Sequence, residues 1–243
     1  LEDVTPIRRP HAERVALDES KRMVELLASL EPDEWQRPTD CAGWDVRAMA
    51  GHVLGMTETF CSYRSMVTTM RAAGKAAGEG PFVDALTAVQ VDMNSDLSTD
   101  ELIDRLAVAG PRQARWRARR RVLRPAPMKE DRRDGTTETW RLGYLWDIIL
   151  TRDTWMHRVD ITRAIGRPME LTAEHDGRLV ADAAAEWARR HGRACTLVLT
   201  GPAGGRFTSG GGGEEHMLDA LEFCRILSGR AEGVGLLAEE VPF

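Results

Sequence analysis

The stretch that decides the fold runs from Trp35 to His52 and reads WQRPTDCAGWDVRAMAGH. Its first part contains Pro38 and Gly43, which are typical of a loop. Asp45 then offers a helix N-cap, because a carboxylate there can accept hydrogen bonds from the free backbone N–H groups of a first helical turn. The stretch therefore predicts a loop followed by a helix that begins near Asp45.

This helix carries a histidine on its apolar face. The apolar positions that recur at helical spacing are Met49, Val53, Met56 and Phe60. His52 lies three residues after Met49 and four before Met56, so it is predicted to face the core. A buried ionisable group is costly unless it is paired or bound to a metal, which makes His52 a candidate functional residue.

A second polar pair lies on a long predicted helix from about Glu138 to Ile165, whose apolar residues include Ile149 and Met156. Asp153 and His157 are four residues apart on this helix, so both side chains point the same way and can reach one ion. Together with His52 they would give three protein ligands and leave open positions, as in catalytic zinc sites. Spacing alone leaves a second interpretation open, a buried Asp–His hydrogen bond.

The remaining periodicity predicts a mainly α protein in two domains. Residues 1–167 are predicted to form a helical bundle. Besides the two helices above, it is predicted to contain a first helix that Pro32 ends, a short helix around 82–89, and a helix that begins at Leu102 and is interrupted at Gly110–Pro111. Residues 168–243 are predicted to form a small α+β domain. Its elements are a helix around 179–187, a strand at 195–200 that 206–209 could pair with, and a helix at 214–228 closed by Gly229.

Composition excludes several classes of protein. Of the 243 residues, 42% are hydrophobic and 29% are charged, which is ordinary for a globular protein, and the net charge of −5 does not favour nucleic acid. No apolar run approaches the roughly 20 residues of a membrane helix, and no secretory signal is visible, so a cytoplasmic protein is expected. The four cysteines are widely separated and are expected to be free thiols.

An arginine-rich run, Arg112–Arg124, raises the alternative of a nucleic-acid binder. The run contains only Trp116 for base stacking and no recognised binding motif. A solvated helix face that pairs with nearby acids, or that assists an anionic substrate, is the favoured interpretation.

The two polar segments resemble the mycothiol-dependent maleylpyruvate isomerase family, a branch of the DinB-like four-helix bundles. The first match is carried by Trp35, Pro38, Thr39, Gly43, Trp44, Val46 and His52. The second, DTWMHRVDITRAIGRP at Asp153–Pro168, is similar to the family's E-x-x-x-H-x-x-D segment. Two C-terminal segments, CRILSGR at Cys224–Arg230 and VPF at Val241–Phe243, resemble the family's small second domain.

The resemblance implies a DinB-like four-helix bundle followed by a small α+β domain, with a divalent metal, zinc being expected, on His52, Asp153 and His157. This chain departs from the family at Asp153, where the family usually has the longer glutamate. Asp160 is expected either to orient His157 or to pair with Arg163.

Arg230 matches a family arginine that reaches the active site, so the resemblance implies a catalytic role in binding a carboxylate or a developing enolate. Position alone favours a solvent-facing arginine beyond a helix end.

The family's activity implies a metal- and mycothiol-dependent enzyme that isomerises a maleylpyruvate-type cis-enedione acid. A metal lowers the pKa of a bound thiol, and the thiolate can add to the double bond, allow rotation and leave again. The related outcome is a thiol S-transferase acting on a small electrophile. The alternative from another class is a non-catalytic metal- or ligand-binding bundle with a regulatory role.

Overall fold

The computed structural model describes residues 1–9, 11–132 and 135–243. These residues form two compact units, one of residues 8–167 and one of residues 1–7 with 168–243. The sequence predicts that Leu1–Ile7 belong to the first domain, whereas the structure places them in the second unit. The backbone N–H of Ile7 donates to Asp182 Oδ1 at 2.9 Å, and the Ile7 side chain is buried, so these contacts hold the segment there.

The first unit is a four-helix bundle with additions. Its helices are α1 (His11–Ala28), α2 (Val46–Thr59), α3 (Tyr63–Ala77), α4 (Phe82–Asp92), α5 (Thr99–Arg119), α6 (Leu142–Tyr144) and α7 (Leu150–Ala164). A 3-10 turn at Glu34–Gln36 precedes α2, and a π-helical turn at Leu145–Ile149 joins α6 to α7. Helices α1, α2, α5 and α7 pack on one another, and α4 packs on α2. The predicted bundle is confirmed.

Helix α2 lies at the centre of the bundle, which explains why nearly all of its residues from Met49 to Thr59 are buried. It begins where the sequence predicts, because Asp45 accepts a hydrogen bond from the Ala48 N–H at 2.7 Å. The core around it contains Met23, Leu27, Met49, Val53, Leu54, Leu102, Leu106 and Ile161. Burying each large apolar side chain stabilises the fold by about 1.5–3 kcal/mol, so the position of His52 is firmly set.

Helix α5 differs from the sequence prediction because it continues through Pro111 without interruption. Its start is fixed by a capping box in which Ser98 and Glu101 bond each other's backbone. A Cβ atom on Gly110 would lie 1.7 Å from Ser20 Oγ, so α5 approaches α1 very closely at this point. This tight packing offsets the hydrogen bond that proline removes.

The predicted start of the long helix near Glu138 is wrong. Residues Pro127–Asp131 (β1) and Thr137–Arg141 (β2) form an antiparallel pair, and helical structure begins only at Leu142. Both strands alternate exposed and half-buried residues, the period of a strand on a surface. The part of the prediction that covers Leu150–Ala164 is confirmed as α7.

The second unit is the predicted small α+β domain. Its elements are α8 (Asp176–His191), β3 (Cys195–Thr200), β4 (Gly205–Ser209), β5 (Glu214–Asp219), α9 (Ala220–Leu227) and a 3-10 turn at Gly235–Ala238. The strand order is β4-β3-β5, with β3 antiparallel to β4 and parallel to β5. The predicted helix at 214–228 is therefore half wrong. Asp219 caps α9 by accepting from the Leu221 and Glu222 N–H groups, so the residues before it are free to pair with β3.

All four cysteines carry free thiols, as their separation predicts. Cys61, Cys195 and Cys224 are buried, whereas Cys41 is half-buried in the loop before α2. Among the residues that the structure describes, no helix is both long enough and apolar enough to cross a membrane.

Candidate metal centre

The three residues singled out from helical spacing converge inside the first unit. His52 projects from α2, and Asp153 and His157 project from successive turns of α7. Asp153 lies between the two imidazoles, with Oδ2 3.7 Å from His52 Nε2 and Oδ1 3.4 Å from His157 Nε2. One donor atom of each residue lies within 4.8 Å of the other two.

This geometry fits a metal ion of zinc's size. Metal–ligand bonds of about 2.0–2.2 Å in a tetrahedron place neighbouring ligand atoms about 3.3–3.6 Å apart, close to the separations of Asp153 from both histidines. One buried atom of the cluster, Asp153 Oδ2, has no hydrogen-bond partner among the described residues. Two imidazoles and one carboxylate are also a donor set that zinc accepts, so these residues could hold a divalent cation.

The shorter side chain of Asp153 is sufficient for this arrangement, since its two oxygens already face both histidines. Its side chain remains 23% exposed, whereas those of His52 and His157 are about 5% exposed. A ligand from solvent would therefore approach on the Asp153 side of the cluster.

Asp160 lies behind His157. Its Oδ2 atom is 3.1 Å from His157 Nδ1, and the side chain is completely buried. A carboxylate in this position orients the ring and leaves Nε2 facing Asp153. Arg163, the other partner considered for Asp160, forms an ion pair with Asp40 at 3.1 Å.

Cys41 is a site residue that the sequence does not reveal. Its thiol donates to Asp160 Oδ2 at 3.7 Å, and the Cys41, His157 and Asp160 donor atoms form a second cluster within 4.8 Å. Cys41 lies inside the Trp35–His52 stretch, but 119 residues separate it from Asp160. Sequence spacing carries no signal for a contact of that range.

Trp44 forms an aromatic wall beside the cluster. Its ring centroid lies 5.0 Å from that of His52 and 6.2 Å from that of His157, and the two imidazoles meet edge to face at 5.0 Å. An apolar wall excludes water from that side and strengthens the electrostatic interactions within the cluster.

The protonation states follow from burial and charge. Burial lowers the pKa of His52, and Asp153 only partly offsets this. Burial would raise the pKa of Asp153, but the charge and hydrogen bonds of His157 and His52 hold it well below its usual range. For His157, burial is outweighed by Asp153 and Asp160, which raise its pKa well above the usual value. These shifts favour a neutral His52 beside an ion pair of His157 and Asp153, and a cation held by His157 Nε2 would have to displace its proton.

Arg230 lies in the second unit, just beyond α9. Gly229 adopts a left-handed conformation with φ of 72°, and the Arg230 N–H donates to the Arg225 carbonyl at 2.9 Å. Arg230 lines a surface groove of about 430 Å³ that also includes Glu232 and Leu237. Its catalytic role stays a prediction.

The arginine-rich run is only partly a solvated face. Arg112, Arg115, Arg119 and Arg121 are exposed. Arg117 is buried and donates to the Trp146 carbonyl at 2.9 Å, and burial lowers its pKa to about 9. Arg120 lies over the rings of Tyr63 and Trp116, and Arg124 pairs with Asp147. Three arginines of the run thus take part in the fold.

Comparison with known proteins agrees with this architecture. Residues 16–162 match the model of the mycothiol maleylpyruvate isomerase N-terminal domain, which covers well over half of the chain and includes all three residues of the cluster. No curated protein sequence matches the chain.

Two solved structures share the fold. The crystal structure of the mycothiol-dependent maleylpyruvate isomerase is 20% identical, with a TM-score of 0.54, and that of its H52A mutant is 19% identical, with a TM-score of 0.53. Each comparison covers 95% of this chain and 93% of the other. On the strength of the domain match, this chain belongs to the mycothiol maleylpyruvate isomerase family.

Proposed function

We propose that this protein is a metal- and mycothiol-dependent enzyme that isomerises a maleylpyruvate-type cis-enedione acid. The observation that carries the proposal is the convergence of His52, Asp153 and His157 at ligand-to-ligand distances, with the buried Asp153 Oδ2 atom left without a hydrogen-bond partner. Family membership supplies the thiol cofactor and the substrate class, because the related solved enzyme is named for both.

In this proposal His52, Asp153 and His157 hold one divalent cation, and zinc is the expected ion for two nitrogen donors and one oxygen. When bound, such a cation would lower the pKa of a coordinated thiol and so supply thiolate at neutral pH. Three protein ligands leave a position open for that thiol, and the partial exposure of Asp153 supports access to it.

The surrounding residues have supporting roles. Asp160 accepts from His157 Nδ1 and so directs Nε2 toward the cation. Trp44 excludes water from one side of the histidines. Arg230 is proposed to bind a substrate carboxylate or an enolate oxygen through its planar guanidinium.

Metal analysis of the purified protein beside three variants tests the site. We expect close to one equivalent of metal in the parent, and much less in His52→Ala and His157→Ala. His11→Ala is the matched control, since His11 is an exposed histidine at the start of α1. Equal metal content in all four proteins would refute the site.

Turnover assays test the chemistry. Maleylpyruvate and generic electrophiles would be offered to the metal-loaded protein with and without mycothiol. Formation of the trans isomer only when the thiol is present supports the isomerase, whereas a stable thioether product indicates the related thiol S-transferase. Metal binding without turnover of any electrophile would favour the non-catalytic bundle, and turnover that ignores the thiol would contradict the mechanism.

A further inference from the structure

A buried glutamine lies against the helix that carries His52. Gln90 belongs to α4 and is 1% exposed. It is brought close by Gly55 of α2, because a Cβ atom there would lie 2.7 Å from Gln90 Cβ and 2.8 Å from the Gln90 carbonyl oxygen. Only glycine at this position allows α4 to approach α2 so closely.

A second buried amide lies at the same interface. Asn94 follows Gln90 by one helical turn, and its Nδ2 atom donates to the Gly51 carbonyl at 2.9 Å and to the Gln90 carbonyl at 3.0 Å. Gly51 directly precedes His52. The close approach at Gly55 therefore places Gln90 against α2, the helix that presents the histidine.

Two unpaired polar atoms occur at this interface. His52 Nδ1 and Gln90 Oε1 are both buried, and neither has a hydrogen-bond partner among the described residues. A ring N–H and an amide oxygen are complementary, and burial of either without a partner is unfavourable. The Gln90 side chain is also one of the influences that raise the pKa of His52 against the effect of burial.

His52 and Gln90 match a pairing that is common beside metal-binding histidines. A histidine that binds a metal through Nε2 must carry its proton on Nδ1, and such histidines donate that N–H to an oxygen atom that orients the ring. His157 already has an acceptor of this kind in Asp160. The Nε2 atom of His52 faces Asp153, so its Nδ1 atom needs the equivalent partner.

We propose that Gln90 is the positioning residue of His52: Gln90 Oε1 accepts from His52 Nδ1–H and directs Nε2 at the metal. The inference rests on the proposed function, in which His52 is a ligand. It adds α4, which contributes no ligand, to the elements that determine the affinity of the site.

The test is the zinc dissociation constant of the full chain, measured by competition with a chelator. Gln90→Met keeps the length of the side chain and removes the acceptor, so the dissociation constant should rise roughly 10–100-fold. Gln90→Glu restores an acceptor and should bind zinc within about threefold of the parent, or more tightly, as carboxylate–histidine–zinc arrangements do.

Asn94→Ala is the matched control for helix packing. Asn94 also has a buried amide oxygen without a partner, and it also joins α4 to α2. Its loss should lower the melting temperature of the metal-free protein while the zinc dissociation constant stays within about threefold. If Gln90→Met does not fold, Gln90→Ala provides the acceptor-free variant.

Three results would overturn the inference: parental zinc affinity in the acceptor-free variant, no rescue by Gln90→Glu, or an equal loss of affinity in Asn94→Ala. The proposed function fails separately. If His52→Ala binds zinc as the parent does, the metal site itself is wrong, whereas weak binding by His52→Ala with normal binding by the acceptor-free variant rejects only the role of Gln90.

Discussion

Replacing Arg158 with methionine should destabilise the helical unit by about 3–5 kcal/mol, the usual effect of breaking a buried ion pair. The guanidinium of Arg158 donates to both carboxylate oxygens of Glu19, at 2.8 and 3.0 Å. The Glu19 and Arg158 side chains are 1% and 4% exposed, and they join α1 to α7, the helix that carries Asp153 and His157.

The magnitude follows from charge and burial. Two unit charges about 3 Å apart attract by about 5–6 kcal/mol at an effective dielectric constant of about 20. Removing Arg158 forfeits this attraction and leaves the Glu19 carboxylate buried without its bidentate partner. Removing both charges avoids that penalty, so Glu19→Leu/Arg158→Met should be about 2–3 kcal/mol more stable than the sum of the two single effects.

Urea denaturation followed by circular dichroism measures these free energies of unfolding. Arg37→Met is the matched control, because Arg37 and Asp33 form an equally short pair, 3.0 Å, that is exposed on both sides. The control should change stability by less than about 1 kcal/mol. The reasoning is refuted if Arg158→Met is no worse than the control, or if the double variant equals the sum of the singles.

Three further outcomes follow from the site and the thiols. Burial raises the pKa of Cys61 to about 11, so only about a thousandth of this thiol is ionised at pH 8. Iodoacetamide should therefore label Cys61 at least about 100-fold more slowly than the half-buried Cys41. Peptide mass spectrometry measures both rates, and equal labelling rates would contradict the predicted protection of Cys61. Asp153→Glu restores the glutamate usual in the family, and its zinc dissociation constant should lie within about tenfold of the parent's. The dissociation constant of Asp153→Ala should rise at least about 100-fold. Chelator competition measures both values, and equal zinc binding by the two variants would exclude the carboxylate as a ligand. In the metal-free protein the lowered pKa of Asp153 contributes stability that is present above the unfolded pKa of about 3.9 and is lost as the pH falls. The raised pKa of His157 contributes stability that is present below the unfolded pKa of about 6.5 and is lost as the pH rises. Asp153→Asn should therefore cost most near pH 5–6 and least near pH 2–3, which urea midpoints across that range would show; a cost independent of pH would argue against the ion pair.

Much of the candidate metal centre follows from local sequence. The spacing of four between Asp153 and His157 places both on one side of any helix, and the apolar neighbours of His52 identify its buried face. Asp45 sets the start of α2 through a hydrogen bond within one turn. These features depend on residues a few positions apart, which is the range over which helical periodicity holds.

The wrong predictions concern segments in which contacts with distant residues outweigh the local preference. Residues 137–141 and 214–219 are short enough to be helix or strand, and each became a strand because a partner strand lay beside it. Pro111 normally ends a helix, but the close contact of Gly110 with α1 keeps α5 intact. In each case tertiary packing overrides a preference of a few kcal/mol.

The sequence by itself determined the helical class of residues 8–167, the α+β character of the tail and the three side chains of the candidate site. Only the tertiary structure decided that Cys41 contacts Asp160, that Gln90 lies against the helix of His52, and that the first seven residues join the second unit. The physical reason is the range of the interactions. Periodicity and capping act within a turn or two, whereas contacts between distant residues depend on how closely helices approach, which small residues such as Gly55 permit.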